Sequence, residues 1–421
     1  MKKNSIKRNF IWNMIGTTFN SFNSLFFMII VTRMNGLDMA GIFTFAFSTA
    51  CLFYVVGVYS GRVYQVTENE NYGDSDYFYM KLITCFMMII SLLIFCFMRN
   101  YSYNKIMIIS LLGIYKLLEA FSETFYAIIQ KKDKLYIVGK SMFIKAILGL
   151  LLFIIIDYIT KNMKLSITFI ILVNLFVILF YDLREVKKLG FKLKKINKKH
   201  VIDLLRKGFY TFGFTFLTLY VINAPKYSVD SLMTNEDQTI LGIIIMPATI
   251  IILFCQFIIQ PFITKMKESL EVSLHKFVNY LHKIILMVIG IGILSTICAY
   301  FVGIPILQLM YNVELSRYLF PLVIIIIGAT IYGISVVYST ALTTMRKTFC
   351  QLIIFLLTSI FSMIVSNIFT ELKGIGGACF SYLLSMLFLL LLYVIVFYYQ
   401  IKRKCKNEKE KKETYIYSFS L

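Results

Sequence analysis

The chain has 421 residues, of which 59% are hydrophobic and 15% charged, with a net charge of +21. Soluble domains run at roughly 45–50% apolar and about 25% charged, so this composition excludes a soluble fold. The surplus of Lys and Arg points to membrane topology rather than to nucleic acid, because apolar runs of roughly twenty residues recur from end to end.

Lys2, Lys3, Lys7 and Arg8 precede a first apolar run over 10–31. The run is too long for a signal-peptide core and no small-x-small site follows it, so it is expected to be retained as a span. Trp12, the only tryptophan, stands at its entry, where an indole ring favours the interface. Asn13, Thr17, Asn20 and Ser24 then recur on one helical face, either for hydrogen bonds between helices or to line a cavity.

Further spans are predicted over 39–59, 80–98, 106–129, 136–156 and 165–183. The fourth carries Lys116, Glu119 and Glu123 on one face, with Gln130 further along the same side. An unpaired charge in mid-bilayer costs about 2.5–3.5 kcal/mol, so these groups either form an ion-pair cluster or face water. Glu119 and Glu123 either bind a coupling proton or pair with lysines. The fifth span adds Lys140 and Lys145, and Lys145 lies too deep to snorkel, so pairing with Glu119 or Glu123 is its structural alternative. Arg33 and Arg62 fall at span ends.

The second half repeats the count, with spans over 208–224, 240–263, 281–304, 318–342, 348–369 and 378–399. The fold class is therefore an all-α polytopic membrane protein with about twelve transmembrane helices in two six-helix lobes. The expected division is 1–183, a basic connector over 184–207, 208–400, and a charged tail over 401–421. Counting Lys and Arg in alternate loops puts about thirty on one side, about eight on the other and about five inside spans, so both termini are expected to be cytoplasmic. Two halves of like orientation suggest a parallel repeat. Arg33 and Lys226 close the first helix of each half, and Gly41-Ile42 and Gly242-Ile243 open the next. The five prolines, 225, 247, 261, 305 and 321, all lie in the second half, with Pro247 the best-placed kink.

Six cations, Arg33, Arg62, Lys116, Lys140, Lys145 and Lys226, face two deep carboxylates, Glu119 and Glu123. Such an excess favours an anionic substrate and disfavours a cationic drug. No catalytic set, metal ligand set or cofactor motif emerges. The eight cysteines show no CxxC or Cys/His spacing and read as packing residues. His200, His275 and His282 all lie near the cytoplasmic face, and Asp74-Ser75-Asp76 reads as a solvated acidic loop rather than a metal–nucleotide-sugar motif.

Three blocks carry a family resemblance. They are Asn9-Phe10-Ile11-Trp12-Asn13 leading to Arg33 and Ala40-Gly41-Ile42-Phe43; Asn223-Ala224-Pro225-Lys226-Tyr227 followed by Leu241-Gly242-Ile243; and, more loosely, Glu119 through Gln130 to Lys145. The chain resembles the O-antigen or capsule repeat-unit flippases of the multidrug/oligosaccharidyl-lipid/polysaccharide (MOP) superfamily over nearly its whole length. It departs at Lys226, where the family pattern has Arg: the charge is kept and the bidentate fork is lost.

The resemblance implies a bacterial plasma-membrane flippase of the MATE-like fold that moves an undecaprenyl-diphosphate-linked oligosaccharide by alternating access, with no covalent chemistry. Arg33, Arg62, Lys116, Lys145 and Lys226 would attract the anionic head group. Asn13, Thr17, Asn20, Ser24 and Gln130 would offer polar contacts to sugar. Membrane lipids, a polysaccharide polymerase and glycosyltransferases are the implied partners, and no nucleic acid is. The alternatives are flipping of lipid II or a teichoic-acid precursor, drug antiport, or a membrane polymerase or glycosyltransferase. A purely structural scaffold leaves the buried charges unexplained.

Overall fold

Backbone groups in hydrocarbon must be bonded within their own segment, and among the described residues every regular element is a helix. The computed structural model describes residues 2–67, 72–259, 262–345 and 347–418. Pro261, Arg346 and the end of the charged tail lie outside them.

We number the membrane helices in chain order: α1 (2–35), α2 (37–58), α3 (Asp74–Met98), α4 (Tyr103–Lys131), α5 (Leu135–Thr160) and α6, which runs from Met163 to Lys188 through a π-helical turn at Ile178–Asp182. The second half gives α7 (Lys198–Leu232), α8 (Asn235–Ile259) and α9 (Leu274–Cys298), the last extended through a π turn at Ala299–Gly303 to Tyr311. α10 (Leu319–Thr344), α11 (348–373) and α12 (375–418) complete the twelve. Among the described residues, eight helical stretches are long and apolar enough to cross a membrane, and two of these contain a helix pair joined at a kink. The kinks sit at Gly36 (φ 81°) and Gly374 (φ 56°), a backbone region that glycine enters without steric cost. The two helices outside those eight are α4, with its internal charges, and α7, whose middle is rich in Thr and Tyr.

The helices outrun their apolar segments. α7 extends to Leu232, so Lys226 stands inside a helix rather than at its end, directly after the intrahelical Pro225. Pro247 is likewise inside α8. Asp74-Ser75-Asp76, expected in a loop, forms the first turn of α3. Asp74 pairs with Lys131 at 3.0 Å, while Asp76 accepts from the Gly73 N–H and meets His200 Nδ1 at 2.9 Å. These contacts occupy both carboxylates structurally.

The chain divides by packing into two units, 1–219 with 234–239, and 220–233 with 240–421. In the first, α1 crosses α5 with backbones almost touching. A Cβ on Gly16 would stand 2.2 Å from the Gly139 carbonyl oxygen, and one on Gly139 would stand 2.1 Å from that of Trp12. Asn9 ties the same crossing, donating to Asp133 O and accepting from Tyr136 N–H. The basic segment after α6 is pinned to α3: Ser75 Oγ bonds Lys192 O and Lys194 N, and Tyr79 OH bonds Lys194 O.

In the second unit, hydrogen bonds between neutral groups tie helices together. Gln351 accepts from Ser339 Oγ at 2.6 Å and donates to Thr343 Oγ1 at 2.8 Å. Ser228 bonds Thr370 at 2.9 Å, and Ser381 bonds Ser366 at 3.2 Å.

Candidate functional site

The candidate site lies in the first unit and begins where α2 stops. Lys81 and Thr84 of α3 take the Gly57 carbonyl, and Lys81 also takes that of Val58, at 2.8–3.1 Å. A cation on these orphan carbonyls ends the helix. Tyr59 then turns left-handed (φ 56°), and Gly61 (φ 75°) opens a short helix, Gly61–Thr67, that packs on α4. This break delivers Arg62 to the charged face of α4.

There Lys116 Nζ meets Glu119 Oε2 at 2.7 Å, Asn20 Nδ2 of α1 donates to Glu119 Oε1 at 3.0 Å, and Arg62 Nε stands 3.7 Å from Glu123 Oε2. The Lys116 ammonium lies 5.0–5.6 Å from the ring centres of Phe47, Tyr54 and Tyr115, within cation–π range. Lys116, Glu119, Glu123, Arg62 and Asn20 are thus brought together. The arrangement is not closed, because Arg62 Nη1 is shielded from solvent yet makes no hydrogen bond.

Lys145 belongs to a second network. Its Nζ reaches Asp182 Oδ2 at 2.6 Å and Ser122 Oγ and Tyr126 OH at 2.9 Å, and Tyr126 OH in turn meets Ser141 at 3.0 Å. The partner is Asp182, not the Glu119 or Glu123 of the structural alternative drawn from sequence. All three ammonium protons are used within the protein, so Lys145 has no donor left for a ligand in this conformation.

Asp182 is fully buried, and its other oxygen, Oδ1, is also shielded without a partner. It sits on the π turn of α6, where the extra residue in the turn sets the carboxylate's direction.

The other sequence-selected residues spread out. Asn20 joins the cluster, whereas Ser24 folds back on Ser21 O at 3.5 Å, Thr17 is half-buried, and Asn13 Oδ1 is shielded without a partner. Gln130 lies in the last turn of α4, about 10 Å along the helix from Glu123. Arg33 is exposed near the end of α1. Lys140 lies 5.1 Å from the Trp12 ring centre. Lys226 is half-buried in the second unit, beside Tyr227, which stacks on Tyr220 at 5.7 Å.

Sequence reasoning missed Lys81, Asp157 and Asp182. Asp157 is fully buried, accepting from Asn35 Nδ2 at 3.1–3.2 Å and Ser166 Oγ at 3.2 Å. The deep carboxylates therefore number more than Glu119 and Glu123, and much of the apparent cation excess is neutralised in pairs. The available signal was an acid within one or two residues of the end of each apolar run, at Asp157 and Asp182.

Solved structures superpose on this arrangement across nearly the whole chain. An inward-facing multidrug resistance MATE family transporter of the MOP superfamily aligns with a TM-score of 0.74, at 10% identity, over 94% of this chain and 99% of its own. This is the fold of the MOP-superfamily transporters. The MATE transporter VcmN of Vibrio cholerae aligns at 0.65 and 13% identity, over 95% of this chain and 98% of its own. The lipid II flippase MurJ, in an inward closed conformation, aligns at 0.63 and 17%, over 92% and 87% respectively.

No family model matches the chain. Among curated proteins it is 24% identical, over 330 residues, to the capsular polysaccharide biosynthesis protein CapF of Staphylococcus aureus, covering 76% of this chain and 81% of that relative. The MOP fold and the apolar helices make this a multi-pass membrane protein whose structural neighbours are transporters and flippases.

Proposed function

We propose that this protein is a flippase that carries an undecaprenyl-diphosphate-linked oligosaccharide from the inner to the outer leaflet of a bacterial plasma membrane, by alternating access, for surface polysaccharide synthesis. The observation that carries the reading is the unfilled guanidinium edge of Arg62, held at Glu123, one helical turn along α4 from the Lys116–Glu119 pair. A buried donor without an acceptor is costly, and a phosphate oxygen would satisfy it with a charge-assisted bond. The likeness to a capsular polysaccharide biosynthesis protein and to a lipid II flippase supports a lipid-linked sugar over a drug.

In this mechanism Arg62 and Lys116 receive the diphosphate, Asn20 and the α1 stripe contact sugar, and the polyprenyl tail remains in lipid, so no polar head crosses hydrocarbon. Glu119 and Glu123 hold the cations when cargo is absent. Arg33 and Lys226 each add positive charge for the anion, and Lys145 keeps α4, α5 and α6 in register. Both termini are cytoplasmic, with the basic segment 184–207 linking two six-helix lobes, and a polymerase and glycosyltransferases act before and after the flip.

The test is export of surface polysaccharide per unit of membrane-inserted protein, with lipid-linked repeat units on the cytoplasmic leaflet as the direct readout. Arg62→Gln should lower export at least tenfold with those units accumulating, and Arg62→Lys should retain part of it. Wild-type export by the Gln variant at equal protein level would remove the anion-binding reading.

A further inference from the structure

Away from the charged cluster, the second unit carries a pocket of about 390 Å³ where α10 finishes and α11 begins, beside Gln400–Lys404 of α12. Lys347, Arg403 and Lys404 line it, with the Gln400 amide and apolar Leu270 and Met345, and among the described residues no acidic side chain contributes. Its volume suits a small ligand or a large head group, and three cations without a carboxylate select an anion.

Leu270 belongs to the helix Phe262–Val272, between α8 and α9. There Met266 is fully buried while Lys265 and Lys267 are exposed, a pattern suited to lying along a membrane surface. Charge counting places this end at the cytoplasmic leaflet.

The exposed face of α12 identifies the source of the anion. Leu387, Leu391, Ile395 and Tyr399 are each between 43% and 63% exposed and recur every fourth residue, and the next position in that row is Arg403. From Leu391 to Arg403 the row is about 18 Å long, close to one leaflet of a core about 30 Å thick. An acyl chain lying on this row brings its own phosphate to the pocket, whereas a soluble anion makes no use of it.

We propose that this pocket binds the phosphate of an anionic phospholipid of the cytoplasmic leaflet, with the lipid's chain along α12. The bound lipid clamps the end of α10 and the 400–404 stretch of α12 to the surface helix. The site stands apart from the transport reading and survives its failure.

The experiment uses the full chain purified in detergent. Native mass spectrometry counts retained phosphatidylglycerol against phosphatidylcholine, and thermal shift is read with dihexanoyl-phosphatidylglycerol, dihexanoyl-phosphatidylcholine and inorganic pyrophosphate. Phosphatidylglycerol should be retained and stabilising, and phosphatidylcholine should be neither.

The triple variant Lys347→Gln, Arg403→Gln, Lys404→Gln should bind on the order of a hundredfold more weakly, taking about fivefold per cation at a charged surface. A control with Lys195, Lys198 and Lys199, exposed lysines of the basic segment, each changed to Gln should retain wild-type binding. Equal retention by the triple variant, equal loss by the control, or equal binding of phosphatidylcholine would overturn the site. A full shift with pyrophosphate alone would assign the pocket to a soluble anion and overturn the lipid assignment.

Discussion

The two units solve the same problem, polar groups inside hydrocarbon, with different chemistry. The first carries ionised groups in its membrane interior and sets them against one another: Lys145 with Asp182, Lys116 with Glu119, Arg62 with Glu123. The second has no Asp, Glu, Lys or Arg within 240–259, 284–313, 319–344, 349–370 or 374–401, and uses hydroxyls and amides such as Ser339, Gln351 and Thr343. Both contain a π turn. In α6 it carries Asp182, whereas in α9 it holds no charge and precedes Pro305, which cannot donate a helical hydrogen bond. The same backbone irregularity thus aims a carboxylate in one unit and relieves a proline in the other. A charged interior can respond to an anion or a proton, whereas the uncharged stretches of the second unit only pack, and that unit's charges stand outside them, as at Lys226 and Asp230 in the segment 220–233.

The sharpest way to break this contrast is Asp182→Ala. Removing one partner of a buried ion pair leaves the Lys145 ammonium with two hydroxyls in place of a counter-ion, a cost of about 3–5 kcal/mol. Thermal unfolding in detergent should show a large loss of stability. Replacing both members with apolar residues, Asp182→Leu with Lys145→Met, should restore much of it. Wild-type stability for the single variant would mean that Lys145 is not held as the geometry indicates.

A smaller effect is expected at Glu119→Gln. Lys116 loses a counter-ion but keeps three aromatic rings around it, so the loss should be about 1–2 kcal/mol. Under the proposed function, polysaccharide export should fall further than stability does, because the cluster's charge balance changes. Gln351→Leu in the second unit removes only neutral hydrogen bonds and should cost about 0.5–1.5 kcal/mol in the same assay. If Gln351→Leu were as damaging as Asp182→Ala, the distinction between charged and neutral interiors would lose its energetic content.

The helix number and fold class were legible because span length is set by bilayer thickness and the apolar runs keep to it. The helix-four cluster was legible for a similar reason: Lys116, Glu119 and Glu123 share a face by spacing alone, and the Lys116–Glu119 pair follows from it. Helix ends were not legible, since the helices continue past their apolar runs. α5 reaches Thr160, beyond the predicted 136–156, which draws Asp157 inside, whereas Asp182 already fell at the edge of the predicted span 165–183. Partner choice was hidden too. Whether Lys145 meets Glu119 or Asp182 depends on which helix packs beside α5 and on a π turn, and neither leaves a mark in hydropathy. Arg62 was placed at a span end, but its delivery to α4 needed the break at Tyr59 and Gly61.

The smallest effects belong to two carboxylates outside the membrane, one in each unit, which extend the comparison to the surface. The Tyr72 hydroxyl, with Lys207 beside it, holds Asp203 below the ordinary carboxylate range. Glu314 is lowered by the Ser316 hydroxyl and backbone N–H, with the Gln308 amide also donating. For a depressed carboxylate, stability is present above the unfolded pKa and is lost as pH falls through the folded value. Asp203→Asn and Glu314→Gln should therefore each unfold slightly below wild type at pH 7 and converge with it in acid, because every other group titrates in both proteins. Salt then separates the two units. The lysine beside Asp203 is screened by added salt, so the Asp203→Asn difference should shrink between low salt and 1 M, whereas Glu314 relies chiefly on neutral donors and its difference should persist. Equal salt sensitivity at both positions would show that the charged and neutral styles of the two units stop at the membrane and do not reach their surfaces.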